Sequence, residues 1–153
     1  MEVYLVQHAE ATSKQEDPLR PITEAGRHAT ADVAVVAAKL GLAVQQIRHS
    51  GKLRAEQTAN VLAEALAPPD GVVQMDGLAP LDDVAPVADE LARMFQPVML
   101  VGHLPFMERL AGALLTGDPE QAVVKFTNAA IVCLSLDTRW QVTWILTPEM
   151  AAI

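Results

Sequence analysis

The chain has 153 residues, 51% of them hydrophobic and 20% charged, a composition typical of one globular domain spanning residues 1–153. A formal net charge of −8 argues against nucleic-acid binding, which needs a basic face. No apolar run approaches the ~20 residues of a membrane helix, and the N-terminus lacks the basic and apolar segments of an export signal, so we expect a cytoplasmic protein without membrane contact.

Strand and helix signals alternate along the chain. Strands are predicted at residues 3–6, 44–49, 72–75, 98–101, 130–136 and 141–146. Helices are predicted at residues 23–40, 52–66, 84–95 and 105–117, and the polar loop 12–21 is expected to be mobile. The only cysteine, Cys133, lies in an apolar run and is expected to be a small core residue. The alternation predicts a three-layer α/β/α sandwich with a mostly parallel central sheet.

Three of the predicted strands lead into a histidine or an arginine. His8 directly follows the first strand, Arg54 lies shortly after the second, and His103 follows the strand at 98–101. Because the carboxyl ends of parallel strands meet at one edge of a sheet, where open α/β folds bind ligands, these side chains are expected to converge. Each residue alone has an ordinary structural explanation. Together, with helix N-termini behind Gly51 and Gly102, they favour an anion, and phosphate fits best.

The other two histidines give weaker indications of a functional role. His28 lies within a predicted helix and is expected to face solvent, while His49 is expected to be structural. A zinc site formed by His8, His49 and His103 is conceivable, but no local ligand spacing supports it.

Four short motifs resemble those of the histidine phosphatases, or phosphoglycerate mutase-like proteins, and in particular their small SixA-type branch. In order, they are Gln7-His8-Ala9 for Arg-His-Gly/Ala, RPITEAG at 20–26 for Arg-Pro-Leu-Thr-x-x-Gly, SGKLRAEQT at 50–58 for Ser-Pro-x-x-Arg-Ala-x-Gln-Thr, and GHLP at 102–105 for Ser/Gly-His-Leu-Pro. The resemblance spans nearly the whole chain and implies the phosphoglycerate mutase-like fold.

The resemblance also implies a covalent phosphohistidine mechanism. His8 would be the nucleophile, Arg54 would bind the phosphoryl oxygens, and His103 would donate a further hydrogen bond to them. Arg20 would be a more weakly placed cation, and no metal or other cofactor is implied. The substrate implied is phosphohistidine on a protein; the alternatives are a small phosphate ester, or phosphate or phosphoprotein binding without catalysis.

The general acid is a first point of departure from the larger members of the family, which carry it on an insertion that this chain lacks. Asp82 and Asp83 are the nearest candidates, although capping a helix is the more ordinary role for them, and Glu10 is a further candidate. The lack of a clear general acid matters less for a phosphohistidine substrate, because its leaving imidazole departs from a weak P–N bond.

Two substitutions within the motifs are a second departure. Gln7 stands where the family has arginine, and its amide offers hydrogen-bond donors but neither a charge nor a guanidinium fork. Gly51 replaces proline and is expected to loosen the turn that presents Arg54. The protein is thus either a slow phosphatase using Arg20 and Arg54 or a degenerate binding protein, and we favour the enzyme because the other pocket residues remain.

Overall fold

A computed structural model describes all residues, 1–153, and shows a six-stranded central sheet. The strands are β1 (Glu2–Gln7), β2 (Gln46–His49), β3 (Val72–Gln74), β4 (Val98–Gly102), β5 (Ile131–Leu136) and β6 (Trp140–Leu146). Their order across the sheet is β3-β2-β4-β1-β5-β6. The first four strands are mutually parallel, whereas β5 runs antiparallel to β1 and β6 antiparallel to β5. The mostly parallel sheet predicted from the sequence is therefore confirmed.

Helices cover both faces of the sheet. They are α1 (Glu24–Lys39), α2 (Leu53–Leu66), α3 (Ala85–Ala92), α4 (Phe106–Thr116) and α5 (Pro148–Ala151). Helices α1 and α2 pack together and α1 also contacts α5, while α3 packs on α4. None of the helices combines the length and the apolarity needed to cross a bilayer.

The core has two halves because successive side chains of a strand point to opposite faces. Leu5 and Leu100 pack with Phe106 of α4 on one side of the sheet. Val6 and Met99 belong to the cluster on the other side, which includes buried residues of α1 and α2. Burial on both faces gives the three-layer α/β/α sandwich that the sequence predicts.

Most differences from the sequence-based elements lie at the ends of helices and strands. Helix α3 ends at Ala92 rather than at 95, and Phe95 beyond it is 97% exposed. The short helix α5 was not predicted. Cys133 is completely buried, and burial raises the pKa of its thiol to about 11, in keeping with an unreactive core residue.

Candidate active site

The site lies at one edge of the sheet, where β2, β4 and β1 end side by side. Gln7 is paired with Gly102, and His49 with Val101, so the residues that follow these strands are neighbours. The rings of His8 and His103 lie next to each other, with 5.1 Å between their centroids. The alternation of strands and helices along the sequence thus brings together residues that are far apart along the chain.

The ring of His8 is held in one tautomer. Its Nδ1 lies 2.7 Å from the carbonyl oxygen of Ala9. Because a carbonyl only accepts hydrogen bonds, Nδ1 carries the proton and the lone pair is on Nε2. Burial lowers the pKa of His8 below its usual value; the Ala9 carbonyl opposes that shift, and the charges of Arg54 and Arg20 add to it. At neutral pH His8 therefore presents a nucleophilic Nε2.

His103 is almost completely buried beside it. Its Nε2 lies 2.6 Å from the hydroxyl oxygen of Ser50, and its Nδ1 is buried without a partner. Burial, followed by the proximity of His8 and Arg54, lowers the pKa of His103 to about 3, so the ring is neutral at pH 7. When the Ser50 hydroxyl donates to Nε2, Nδ1 carries the proton and is a buried donor that an oxyanion would satisfy.

Two arginines supply positive charge to this edge, and neither forms an ion pair. Arg54 lies in the first turn of α2, and its Nε is buried without a hydrogen-bond partner. Burial and the neighbouring Arg20 lower the pKa of Arg54. Arg20 has a φ of 50°, and its Nε donates to the carbonyl of Thr12 at 3.0 Å, which fixes the base of the side chain. Both charges act on His8, and both lack a counter-ion.

The residues after Arg54 connect the pieces of the site. The Thr58 hydroxyl donates to the Arg54 carbonyl at 2.7 Å and accepts the N–H of Ala9 at 2.9 Å. The side-chain oxygen of Gln57 accepts the N–H of Ile22 at 2.8 Å, just beyond Arg20. The motif at residues 50–58 therefore holds the His8 loop and the Arg20 loop, as well as presenting Arg54.

Gly26 explains the end of the motif at residues 20–26. A Cβ at this position would lie 2.5 Å from the carbonyl oxygen of Glu10 and 3.1 Å from its nitrogen. Helix α1 therefore packs directly against the backbone that follows His8. Only glycine permits this approach without moving that backbone.

The two substituted motif positions differ in their structural effect. The side-chain oxygen of Gln7 is buried and has no hydrogen-bond partner. Gly51 has a φ of 93°, which proline cannot adopt, and its N–H donates to Nδ1 of His49 at 3.1 Å. The turn before Arg54 thus has a shape of its own, fixed by a buried His49 in the structural role expected for it.

The carboxylates near the site make structural hydrogen bonds. Asp82 lines the groove described below, and its Oδ2 accepts the N–H of Ala79 at 2.9 Å. Asp83 is exposed, and its Oδ1 accepts the N–H of Ala85 at 3.0 Å, at the start of α3. Asp83 therefore makes a hydrogen bond beside the start of α3, whereas Asp82 is the carboxylate that lines the groove.

The other sequence candidates lie at the margin. Glu10 is exposed and accepts the hydroxyl of Thr23 at 2.8 Å, while His28 is exposed on α1 as expected. His49 engages Gly51 rather than joining His8 and His103. No group of three histidine, cysteine or carboxylate side chains lies close enough together to hold a metal ion.

An open groove of about 570 Å³ leads to this edge. Its polar lining residues are Lys14, Arg20, Lys52, Arg54 and Asp82. The sequence reasoning missed both lysines, as well as Ser50 and Asn128, whose side chain donates to the His8 carbonyl at 2.8 Å. The motif alignment includes Ser50 and Lys52 without assigning them a role, and nothing in the sequence indicates Lys14 or Asn128.

A second groove, of about 650 Å³ and mostly apolar, lies at the opposite edge of the sheet. It is lined by the start of β1 and the segment before β2, with Trp144 from β6. None of the histidines or arginines described above borders it, whereas Arg20 and Arg54 line the smaller, cationic groove.

Solved structures of histidine phosphatases share this fold and match nearly the entire chain. The protein histidine phosphatase SixA, solved with tungstate, is 26% identical, with a TM-score of 0.86 over 97% of this chain and 98% of its own. A protein assigned as phosphohistidine phosphatase SixA from Agrobacterium tumefaciens is 27% identical, with a TM-score of 0.78 over 96% and 97%.

A more distant match shows the fold alone. Mycobacterial glucosyl-3-phosphoglycerate phosphatase, solved with VO3, is 18% identical, with a TM-score of 0.76 over 94% of this chain and 97% of its own. No protein-family model matches the sequence, and no curated protein is similar to it. The structural matches confirm the resemblance to SixA-type histidine phosphatases and the phosphoglycerate mutase-like fold, and they support phosphatase activity.

Proposed function

We propose that the protein is a phosphatase that forms a covalent phosphohistidine at His8 and acts on phosphohistidine in a partner protein. The observation that carries the proposal is the fixed tautomer of His8, whose Nδ1 is bound to the Ala9 carbonyl at 2.7 Å. The free lone pair on Nε2 lies beside His103, Arg54 and Arg20, which carry the donors and charge that a phosphoryl group needs.

The first step transfers the phosphoryl group. Nε2 of His8 attacks phosphorus, the substrate P–N bond breaks, and its electron pair returns to the departing imidazole, which takes a proton from solvent. The His8 ring becomes positively charged, and the Ala9 carbonyl stabilises that charge because a hydrogen bond to it favours the charged form of the ring. Arg54 and His103 bind the phosphoryl oxygens through Nε and Nδ1 respectively, two buried atoms that have no other partner.

In the second step, water attacks phosphorus and releases a proton to solvent. The bond to Nε2 breaks, its electron pair returns to His8, and inorganic phosphate leaves. We assign any assistance by a carboxylate to Asp82, because it lines the same groove as Arg54. Phosphohistidine needs less assistance than an ester, since its leaving nitrogen is readily protonated, and this favours it over a small phosphate ester. The SixA protein with tungstate supports binding of a phosphate-like oxyanion.

Gln7 favours one alternative, in which the protein binds phosphate without turning it over. Its buried amide oxygen has no partner and supplies no charge where the family has arginine. A turnover assay separates the two functions: a phosphohistidine-containing protein and p-nitrophenyl phosphate are supplied side by side, with the wild type and His8→Asn. We expect release of phosphate from the phosphohistidine protein by the wild type alone. Tight phosphate binding without turnover of either substrate would establish the binding function instead.

A further inference from the structure

The groove contains more positive charge than the reacting phosphoryl group requires. Four of the chain's 11 lysine and arginine residues line it, although the protein carries a net charge of −8. None of these four cations is in an ion pair. The one lining carboxylate, Asp82, accepts the backbone N–H of Ala79 and pairs with none of them. The groove is therefore an uncompensated positive surface on an acidic protein.

The cations divide into two groups. The two arginines, whose charges lower the pKa of His8, are the cations assigned to the phosphoryl group. The other two cations of the groove are the exposed Lys14 and Lys52, and the charge of Lys52 also lowers the pKa of His103. A phosphoryl group carries a charge of about −1.5 to −2 at neutral pH, which the two arginines balance. The two lysines of the groove are thus surplus to the charge of the transferred group.

We propose that the groove recognises a substrate with a second anionic group beside the phosphoryl group, and that Lys14 and Lys52 bind this second group. The inference rests on the proposed function and extends it to the substrate class. Both lysines are exposed and end in mobile ammonium groups that accept varied geometries. Such a pair suits a carboxylate, either on an acidic side chain flanking a phosphohistidine or on a small phosphate ester.

The experiment compares matched substrates with the double variant Lys14→Gln/Lys52→Gln. One pair is a phosphohistidine peptide with flanking aspartates and the same peptide with asparagines. The other pair is 3-phosphoglycerate and glycerol 3-phosphate, which differ by the carboxylate. The control is Lys39→Gln/Lys125→Gln, which makes the same charge change at exposed lysines outside the groove.

We expect the wild type and the control to prefer the carboxylate-bearing member of a pair by about 2- to 30-fold in kcat/KM, the range that two exposed charge pairs supply. The preference should fall to about onefold in Lys14→Gln/Lys52→Gln. Because the preference is a ratio of kcat/KM within one pair of substrates, a change in rate common to both substrates cancels. The preference should also shrink in 1 M salt, where the screening length is about 3 Å. The substrate pair that shows this preference identifies whether the recognised carboxylate belongs to a side chain flanking a phosphohistidine or to a small phosphate ester.

A binding measurement makes the test independent of turnover. Titration calorimetry with hydrolysis-resistant phosphonate analogues of the two peptides should give the same lysine-dependent preference even in an inactive protein. Equal affinity for the acidic and neutral analogues, together with equal kcat/KM within both substrate pairs, would overturn the inference. So would a preference that the lysine variant retains in full. Neither result would affect the proposed phosphatase chemistry at His8.

Discussion

Replacing Gln7 by arginine should increase phosphatase activity. Gln7 pairs with Gly102 at the end of β1 and directly precedes the nucleophile. Its side-chain oxygen is buried without a partner, so glutamine contributes no hydrogen bond at this atom. An arginine would present a charged, forked set of donors beside His8. A hydrogen bond to a charged group contributes about 1.5–3 kcal/mol, which corresponds to about 10- to 100-fold in rate.

The structure also predicts that Gln7→Arg lowers the stability of the protein in the absence of phosphate. A third guanidinium would join Arg54 and Arg20, which already lack counter-ions, so the free Gln7→Arg protein should be less stable than the wild type. Bound phosphate should compensate, and the rise in Tm on adding inorganic phosphate should therefore be larger for Gln7→Arg.

The assay compares kcat and KM on one substrate for the wild type, Gln7→Arg, Gln7→Lys and Gln7→Met. An increase in kcat alone would mean that the guanidinium group binds the transition state only. A decrease in KM would mean that it binds the substrate in its ground state equally well. Gln7→Lys should lie between the wild type and Gln7→Arg, because it supplies charge without the fork, and Gln7→Met controls for side-chain length. A folded Gln7→Arg protein with unchanged kcat/KM would refute this reasoning about the glutamine.

Three further predictions follow from the contacts around the site. Gln57→Ala leaves the N–H of Ile22 without its acceptor and should lower kcat/KM by about tenfold by releasing the Arg20 loop; Gln57→Glu, which keeps an acceptor, should restore most of it in the same kinetic assay. Gly26→Ala should destabilise the fold by about 1–3 kcal/mol in urea unfolding, because the new methyl group meets the Glu10 backbone. Because the pKa of His103 is lowered to about 3, its contribution to stability is complete above pH 6.5 and is lost as the pH falls, by about 1.4 kcal/mol per unit. Urea unfolding at several pH values should show a shallower acid loss for His103→Gln, and an unchanged slope would contradict the shift.

Much of the fold could be predicted from the sequence because the signals were local. Short apolar runs ending at polar residues identified the strands, and their alternation with helices implied the parallel order that brings His8 next to His103. Helix α5 was not predicted because four residues are too few to show the periodicity of a helix. Thr147 followed by Pro148 is nevertheless a helix-start signal.

The missed parts of the site depend on contacts through space. Lys14 reaches the groove only because the 12–21 loop is closed, with the N–H of Thr12 donating to the Pro21 carbonyl at 2.7 Å. Asn128 approaches His8 from the segment before β5, 120 residues away in the chain. The roles of Gln57 and Thr58 as ties between loops also required the folded structure, since the sequence shows only that they belong to the Arg54 motif.

The most direct test of the mechanism is to trap the phosphoenzyme. The wild type is mixed with a radiolabelled phosphoryl donor and quenched in alkali, and the labelled peptide is mapped. His8→Ala is the test variant, and His28→Ala, at an exposed histidine of α1, is the matched control. We predict an alkali-stable, acid-labile phosphate on His8 in the wild type and in His28→Ala, with neither label nor turnover in a folded His8→Ala protein. Normal turnover by His8→Ala, or a label on another residue, would contradict the assignment of His8 as the nucleophile.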